Sequence, residues 1–106
     1  MKLPEPIEIY VRAENDADVD ANDICFSPDA TARDEGHIYE GLAEIKRWKA
    51  ESKRKYNHTM EPFEVSERDG RIVVASRVTG DFPGSPITLH SSFLLKDGKI
   101  LTLETI

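Results

Sequence analysis

Residues 10–34 read YVRAENDADVDANDICFSPDATARD, and this stretch decides the fold. Its first residues continue an apolar helical face that begins upstream, and the Asn-Asp pair at 15–16 interrupts that face. We expect Asp18 to cap a second short helix, because its side chain can accept hydrogen bonds from the first N–H groups. Pro28 ends that helix, since proline disfavours helical backbone at the residue before it. The stretch therefore predicts two short helices followed by a strand over 30–33.

The sequence on both sides of this stretch continues the helical pattern. Upstream, the first helix is expected to begin within segment 4–6, because its prolines are tolerated in a first helical turn. Downstream, Leu42, Ile45 and Trp48 recur at helical spacing. They predict the longest helix of the chain, over 42–55.

The second half of the chain carries strand signals. Apolar and β-branched residues mark four segments, at 59–67, 71–79, 87–96 and 99–106. Asp-Gly pairs at 69–70 and 97–98 are strong hairpin turns. Helices followed by hairpin-linked strands predict one α+β domain over residues 1–106, with the helices on one face of an antiparallel sheet.

Charge and cysteine content exclude several functional classes. The chain has 14 Lys plus Arg against 20 Asp plus Glu, a net charge of −6, which argues against a nucleic-acid partner. No apolar run is long enough to span a membrane, and no signal peptide is recognisable, so we expect a cytoplasmic protein. The lone Cys25 is expected to be a buried thiol without a disulfide. The three histidines lack metal-ligand spacing, and we expect no metal.

Four segments carry a family resemblance. Residues 10–18 (YVRAENDAD) resemble the first-helix signature of SnoaL-like proteins and bacterial ketosteroid isomerases, and residues 26–34 (FSPDATARD) resemble the F-x-x-D-A-x-x-x-D segment that follows it. Residues 41–48 (GLAEIKRW) are similar to the family's G-x-x-x-I-x-x-aromatic helix start, and residues 93–100 (FLLKDGKI) to its last hairpin. The chain therefore resembles the SnoaL-like, nuclear-transport-factor-2-like superfamily.

The resemblance implies a cone-shaped α+β barrel. In this superfamily a strongly curved antiparallel sheet wraps around the long helix, beside two N-terminal helices. The open end of the cone is a pocket for a small apolar or carbonyl-bearing molecule, used without a cofactor. Many members form homodimers through the outer face of the sheet, and we expect the same here.

The resemblance also implies catalytic residues. Asp34 matches the general-base aspartate of ketosteroid isomerases, and Tyr10 matches their oxyanion-donor tyrosine. Ser91 stands where those isomerases have a protonated aspartate, with His90 beside it; because a serine hydroxyl is a weaker donor, steroid-type isomerisation is disfavoured. The residues alone leave alternatives open. Asp34 also fits a turn, Tyr10 fits the core, and His58 and His90 fit either acid–base groups or surface histidines.

A set of large apolar residues is expected to line the pocket, although a packed core would use the same residue types. The set comprises Trp48, Phe63, Phe82, Leu89, Phe93, Leu101 and Leu103. Segment 80–86, with two glycines and two prolines, is expected to form a rim of fixed geometry.

Three functions remain open at this point. The first is an enzyme of the isomerase or polyketide-cyclase type, in which Asp34 transfers a proton. The second is a non-catalytic ligand-binding or dimeric scaffold module of the same fold. The third is an interaction module that uses the outer face of the sheet. The first two are separated by whether Asp34 faces a dry cavity close to another polar donor.

Overall fold

A computed structural model describes the whole chain, residues 1–106. The helices are α1 (Glu5–Asp16), α2 (Asn22–Cys25, preceded by a single 3-10 turn, Val19–Ala21) and α3 (Leu42–Tyr56). The strands are β1 (Phe26–Asp34), β2 (His37–Glu40), β3 (Thr59–Arg68), β4 (Arg71–Thr79), β5 (Ile87–Lys96) and β6 (Lys99–Thr105). No helix is both long enough and apolar enough to cross a membrane.

The six strands form one sheet in the order β2-β1-β6-β5-β4-β3. All neighbouring pairs are antiparallel except β1 and β6, which run parallel, so the sheet is mixed. Helices α1 and α3 contact strands of this sheet, which makes the architecture α+β, as predicted. The register shifts once in each of the pairs β1–β6, β3–β4 and β5–β6, and such bulges bend a sheet and increase its twist.

The strongest sequence patterns predicted element bounds well, whereas the N-terminal half needs correction. Helix α3, β4 and β5 lie within one residue of their predicted bounds. Strand β1, however, begins at Phe26 instead of Ala30 and includes Pro28. The register of β1 on β6 is interrupted between Phe26 and Thr31, so proline's missing N–H removes no ladder bond there. The side chain of Asp18 makes no capping hydrogen bond.

The core lies between the helices and the inner face of the sheet. Ile7, Phe26, Ile45 and Phe93 are among its fully buried side chains. Tyr10 packs edge-on against Phe26 and Phe93, with ring centroids 5.8 and 5.5 Å apart. This packing fixes the Tyr10 ring, and Tyr10 also lines the cavity described below.

Candidate functional site

A cavity of about 340 Å³ lies between the inner face of the sheet and helices α1 and α3. Its polar lining comes from Tyr10, Glu14, Asp34, Glu35, Lys49, Ser52, His58, Ser91 and Thr105. Its apolar and aromatic lining comes from Trp48, Tyr56, Met60, Val78, Phe82, Pro83, Ile87 and Leu89. The cavity therefore combines apolar walls with convergent polar groups, as ligand sites usually do.

Three of the residues expected to line the pocket do so: Trp48, Phe82 and Leu89. Phe93 is instead part of the closed core and only 1% exposed. Leu103 is also a core residue. Both side chains pack behind the cavity wall.

Two further residues of that set lie at bulges and not in the cavity lining. Phe63 lies where the register shifts between Pro62 and Glu64, and it is 56% exposed. Leu101 lies opposite the shift between Leu94 and Leu95, outside both the core cluster and the cavity lining. In each case one extra residue in the strand reverses the alternation of faces.

Asp34 lies at the end of β1, on the cavity wall. The preceding residue, Arg33, pairs with Glu104 of β6, and the residue after Glu104, Thr105, pairs with Ser91 of β5. Asp34, Thr105 and Ser91 thus form a row across three adjacent strands, and all three line the cavity.

The surroundings of Asp34 make its carboxylate more basic. Partial burial, followed by the charge of the neighbouring Glu35, raises the pKa of Asp34, although the positive charge of Lys49 opposes them. A raised pKa increases the affinity of a carboxylate for a proton, which suits a general base.

Tyr10 lines the same cavity, and its hydroxyl group lies beside Lys49, another lining residue. Burial raises the pKa of Tyr10 to about 12, against the opposing effect of Lys49. The phenol is therefore neutral near pH 7 and can donate a hydrogen bond. The charge of Asp34 contributes to the raised pKa of Tyr10, which indicates that the two groups share one electrostatic environment.

A buried ionic network lies behind Tyr10. The Lys49 ammonium donates a hydrogen bond to the Tyr10 hydroxyl oxygen, and its Nζ lies 3.4 Å from Oε1 of Glu14. Oε2 of Glu14 lies 2.8 Å from Nε2 of His58. Burial favours neutral Glu14, but Lys49 and His58 outweigh it and lower the pKa of Glu14 to about 2. Burial also opposes the charged form of Lys49, yet Glu14 and Tyr10 raise its pKa overall.

The ring of Trp48 is contacted by two protein groups. Tyr39 stacks on it with ring centroids 4.7 Å apart, and Nζ of Lys49 lies 4.1 Å from its ring centroid. The indole thereby helps to hold the Lys49 ammonium, since a cation is attracted to an aromatic face.

The loop over 80–86 forms one rim of the cavity through Phe82 and Pro83. The backbone N–H of Asp81 donates to the carbonyl oxygen of Tyr56 at 2.7 Å, and the N–H of Gly80 donates to Oγ of Ser85 at 2.9 Å. The first hydrogen bond holds the rim against the end of α3, and the second lies within the loop.

His90 lies on the opposite face of the sheet from its neighbour Ser91. The β4–β5 register runs without a bulge from Ile72–Phe93 to Val78–Ile87, so His90 alternates to the outer face. It lies there in a groove that also includes Ile106, away from the cavity.

Sequence reasoning missed the network of Lys49, Glu14 and His58 as a unit, although His58 was a candidate by itself. Helical spacing could have indicated this network. Glu14 follows Tyr10 by about one helical turn and Lys49 follows Ile45 by about one turn, so each charged residue lies on the buried face of its helix. A charged residue on a buried helical stripe indicates a paired interior charge. No group of three or more His, Cys, Asp or Glu side chains forms a metal-type cluster.

Comparison with known proteins gives both a family match and solved relatives. A model of the SnoaL-like domain matches residues 7–102. A Sinorhizobium meliloti protein, whose proposed activity is that of a polyketide cyclase, is 38% identical with a TM-score of 0.93; the match covers 98% of this chain and 95% of that one. Comparison with curated protein sequences gives no match.

Two less similar structures share the fold. A Catenulispora acidiphila protein with a ketosteroid isomerase-like fold, solved in complex with trimethylamine, is 17% identical, with a TM-score of 0.84 over 99% of this chain and 86% of that one. TerC, co-crystallised with polyporic acid, is 23% identical, with a TM-score of 0.80 over 96% of this chain and 88% of that one. At these identities the likeness shows the fold alone, and that fold is the predicted cone.

Proposed function

The chain belongs to the SnoaL-like domain family, and from this premise we propose that its cavity binds a small carbonyl-bearing molecule on which Asp34 acts as a general base. One observation carries the proposal: Asp34 and Tyr10 line the same cavity. The first is a carboxylate whose pKa is raised, and the second is a neutral phenol. A base and a hydrogen-bond donor on one cavity are what proton transfer beside a carbonyl needs.

The proposed reaction begins with proton abstraction. The Asp34 carboxylate removes a proton from a carbon next to the carbonyl group, and the C–H electron pair moves into the new C=C bond. The carbonyl oxygen gains the negative charge and accepts a hydrogen bond from the Tyr10 hydroxyl. Protonated Asp34 then returns its proton to another carbon, which completes an isomerisation. Alternatively the enolate carbon attacks the carbon of a second carbonyl group of the same molecule, and the alkoxide that forms takes the proton from Asp34, which completes a cyclisation.

The apolar walls support the choice of ligand class. Met60, Val78, Ile87 and Leu89 surround the polar groups, so most of a ligand's surface would be removed from water. The relative described with a proposed polyketide cyclase activity supports a molecule with several carbonyl groups. Ser91 and Thr105 offer hydroxyl groups to a second oxygen of such a molecule.

Hydrogen–deuterium exchange at carbon tests the proposal directly. A panel of small cyclic ketones and 1,3-dicarbonyl compounds is incubated with the protein in deuterium oxide, and loss of the α-proton signal is followed by NMR. The wild type should accelerate exchange of at least one compound, and Asp34→Asn should slow it roughly 10²-fold or more, because that is the usual contribution of a general base. Asp29→Asn, the same change at an exposed residue of β1, is the matched control and should exchange like the wild type.

Equal exchange by the wild type and Asp34→Asn would contradict the catalytic proposal. If ligand binding persisted in that case, the protein would be the non-catalytic binding module that remained open from the sequence.

We also propose that two copies associate through the outer face of the sheet. The groove that contains His90 supports this, because the apolar residues Val73, Ala75 and Ile106 line it and Ile106 is 71% exposed. Sedimentation of the wild type and of Ile106→Arg would test the association, which a charged side chain at this exposed position should disrupt. The cytoplasmic location stays a prediction.

A further inference from the structure

Lys49 is a cation in the cavity wall that the proposed reaction does not use. Its residue is only 7% exposed, although lysine is rarely buried unless it is paired. Three groups surround the ammonium: the Tyr10 oxygen, the Glu14 carboxylate and the Trp48 ring. Retaining a charge here has a desolvation cost.

The hydrogen bond between Lys49 and Tyr10 has a defined direction. An ammonium group can only donate, so the Tyr10 oxygen is the acceptor. The hydroxyl hydrogen of Tyr10 donates to no protein group and is left for a molecule in the cavity. The positive charge on Lys49 withdraws electron density from that hydroxyl and strengthens it as a donor, because hydrogen bonds between charged groups polarise their neighbours.

We propose that Lys49 makes the cavity select ligands whose oxygen is an anion, an ionised enol or phenol, over the same compounds in their neutral hydroxyl form. The inference rests on the proposed function in one respect, since it places the ligand oxygen at the Tyr10 hydroxyl. It deepens that function, because the class it names includes the enolate formed by proton abstraction. Lys49 is then a specificity-determining residue that acts through Tyr10.

Other charged groups act on the same space and oppose Lys49. Glu14, on α1, contacts Lys49 and His58 but makes no hydrogen bond to Tyr10. The Glu14 carboxylate therefore interacts with two groups, Lys49 and His58, and His58 is the residue that precedes β3. Asp34 and Glu35, from the end of β1 and the turn after it, add two carboxylates to the lining. Lys49 is the charged group that is hydrogen-bonded to Tyr10, and the proposed selection at the ligand oxygen rests on that contact.

A phenol that changes colour on ionisation tests this selection. para-Nitrophenol absorbs visible light only as the phenolate and has no α-proton for Asp34 to remove. Its bound and free forms are titrated with pH in the presence of the wild type. The bound probe should ionise at lower pH than the free probe, with the phenolate favoured roughly tenfold or more, as expected for a charge-assisted hydrogen bond.

Substitutions at three positions assign the selection to Lys49. Lys49→Met should reduce the preference for phenolate about tenfold or more, whereas Lys46→Met should leave it unchanged. Lys46→Met is the matched control because it removes one positive charge from the same helix. The partners of Lys46 are the surface residues Asp20 and Asp23. If Lys49→Met fails to fold, the double variant Lys49→Met/Glu14→Gln removes both buried charges together and should show the same loss.

Two results would overturn the proposal: a wild type that does not bind the phenolate in preference to the phenol, or a Lys49→Met preference equal to that of the wild type. A merely structural lysine would change stability without changing the ionisation of the bound probe. The Asp34→Asn variant separates the two proposals, because it should lose carbon-bound proton exchange yet bind phenolate at least as well as the wild type. Anion selection without any proton exchange would contradict the proposed general base and support the role of Lys49.

Discussion

The ammonium nitrogen of Lys49 lies 3.4 Å from a carboxylate oxygen of Glu14, and both residues are buried. The pair joins α3 to α1 directly beside the cavity. Glu14 has His58 as a second partner, and Lys49 has the Tyr10 oxygen. Because every member has a partner, the desolvation cost of the charges is offset only while the network is complete.

Breaking the pair from one side should be strongly destabilising. Lys49→Met leaves the Glu14 carboxylate buried without its main counter-ion, and such a loss typically costs about 3–5 kcal/mol. Urea unfolding should show this as a lower free energy of unfolding. Lys46→Met should have a much smaller effect, because exposed ion pairs contribute little. The double variant Lys49→Met/Glu14→Gln should recover part of the loss, and a Lys49→Met protein as stable as the wild type would show that the network is not an energetic unit.

Acid should remove the stabilisation that Glu14 provides. Folding lowers its pKa from an ordinary value of 4.5 to about 2, so the unfolded chain binds more protons between these values. The contribution is therefore fully present above pH 4.5 and is lost as pH falls toward 2. The difference in free energy of unfolding between the wild type and Glu14→Gln should therefore decrease by roughly 3 kcal/mol as the pH falls across this interval. Urea unfolding at a series of pH values measures the difference, and two parallel curves would contradict the assigned shift.

The hairpins and the long helix could be predicted because their signals are local. Asp69-Gly70 and Asp97-Gly98 are the turns, and all four residues have positive φ, as tight hairpin turns require. Helix α3 was indicated by apolar residues three positions apart. In these segments the neighbouring residues alone favour the observed backbone.

The bulges could not be predicted because they depend on strand partners. Phe63 was expected in the lining as a large apolar residue, but it lies at the register shift between Pro62 and Glu64 and is 56% exposed. Alternation predicts faces only while each residue has one partner. A bulge places two residues opposite one partner, and the types of residue in the strand do not indicate where this happens.

The site was partly predictable. The resemblance indicated Asp34, Tyr10 and Ser91, and all three line the cavity. Lys49 was not among the predicted site residues, because it lies in a run rich in Lys and Arg. Its partner Glu14 is 35 residues away in the chain, so only the packing of α1 against α3 brings them together.

The attachment of the C-terminal end of α1 to the start of β3 should depend on Asn15. Its side-chain amide donates to the carbonyl oxygen of Met60 at 2.9 Å and accepts from the Met60 N–H at 2.8 Å. Asn15→Ala removes both bonds between α1 and the start of β3, and it should lower the free energy of unfolding by roughly 1–2 kcal/mol. Urea unfolding measures the loss, and faster hydrogen exchange of the Met60 amide locates it. Asp16→Ala, at an exposed neighbouring residue, is the control and should leave the Met60 amide as protected as in the wild type. If the Met60 amide were equally protected in Asn15→Ala and in the wild type, other contacts would hold the end of the helix.

The packing of the cavity rim should depend on the absence of a side chain at Gly80. A Cβ atom there would lie 2.7 Å from the carbonyl oxygen of Tyr56, 2.9 Å from Cβ of His58 and 3.0 Å from Cε2 of Phe82. Two of these contacts are with backbone or Cβ atoms, which cannot move without shifting the end of α3 or the start of β3. Gly80→Ala should therefore lower the free energy of unfolding by about 1–3 kcal/mol through overpacking.

The same change should weaken binding of para-nitrophenol, because Tyr56, His58 and Phe82 all line the cavity. Asp81→Ala is the matched control, since its side chain is exposed and the hydrogen bond to Tyr56 comes from its backbone N–H. Thermal unfolding and probe titration on both variants make the comparison. A Gly80→Ala protein with wild-type stability and binding would mean that the rim adapts to an added methyl group. The close approach at Gly80 would then have no part in shaping the cavity.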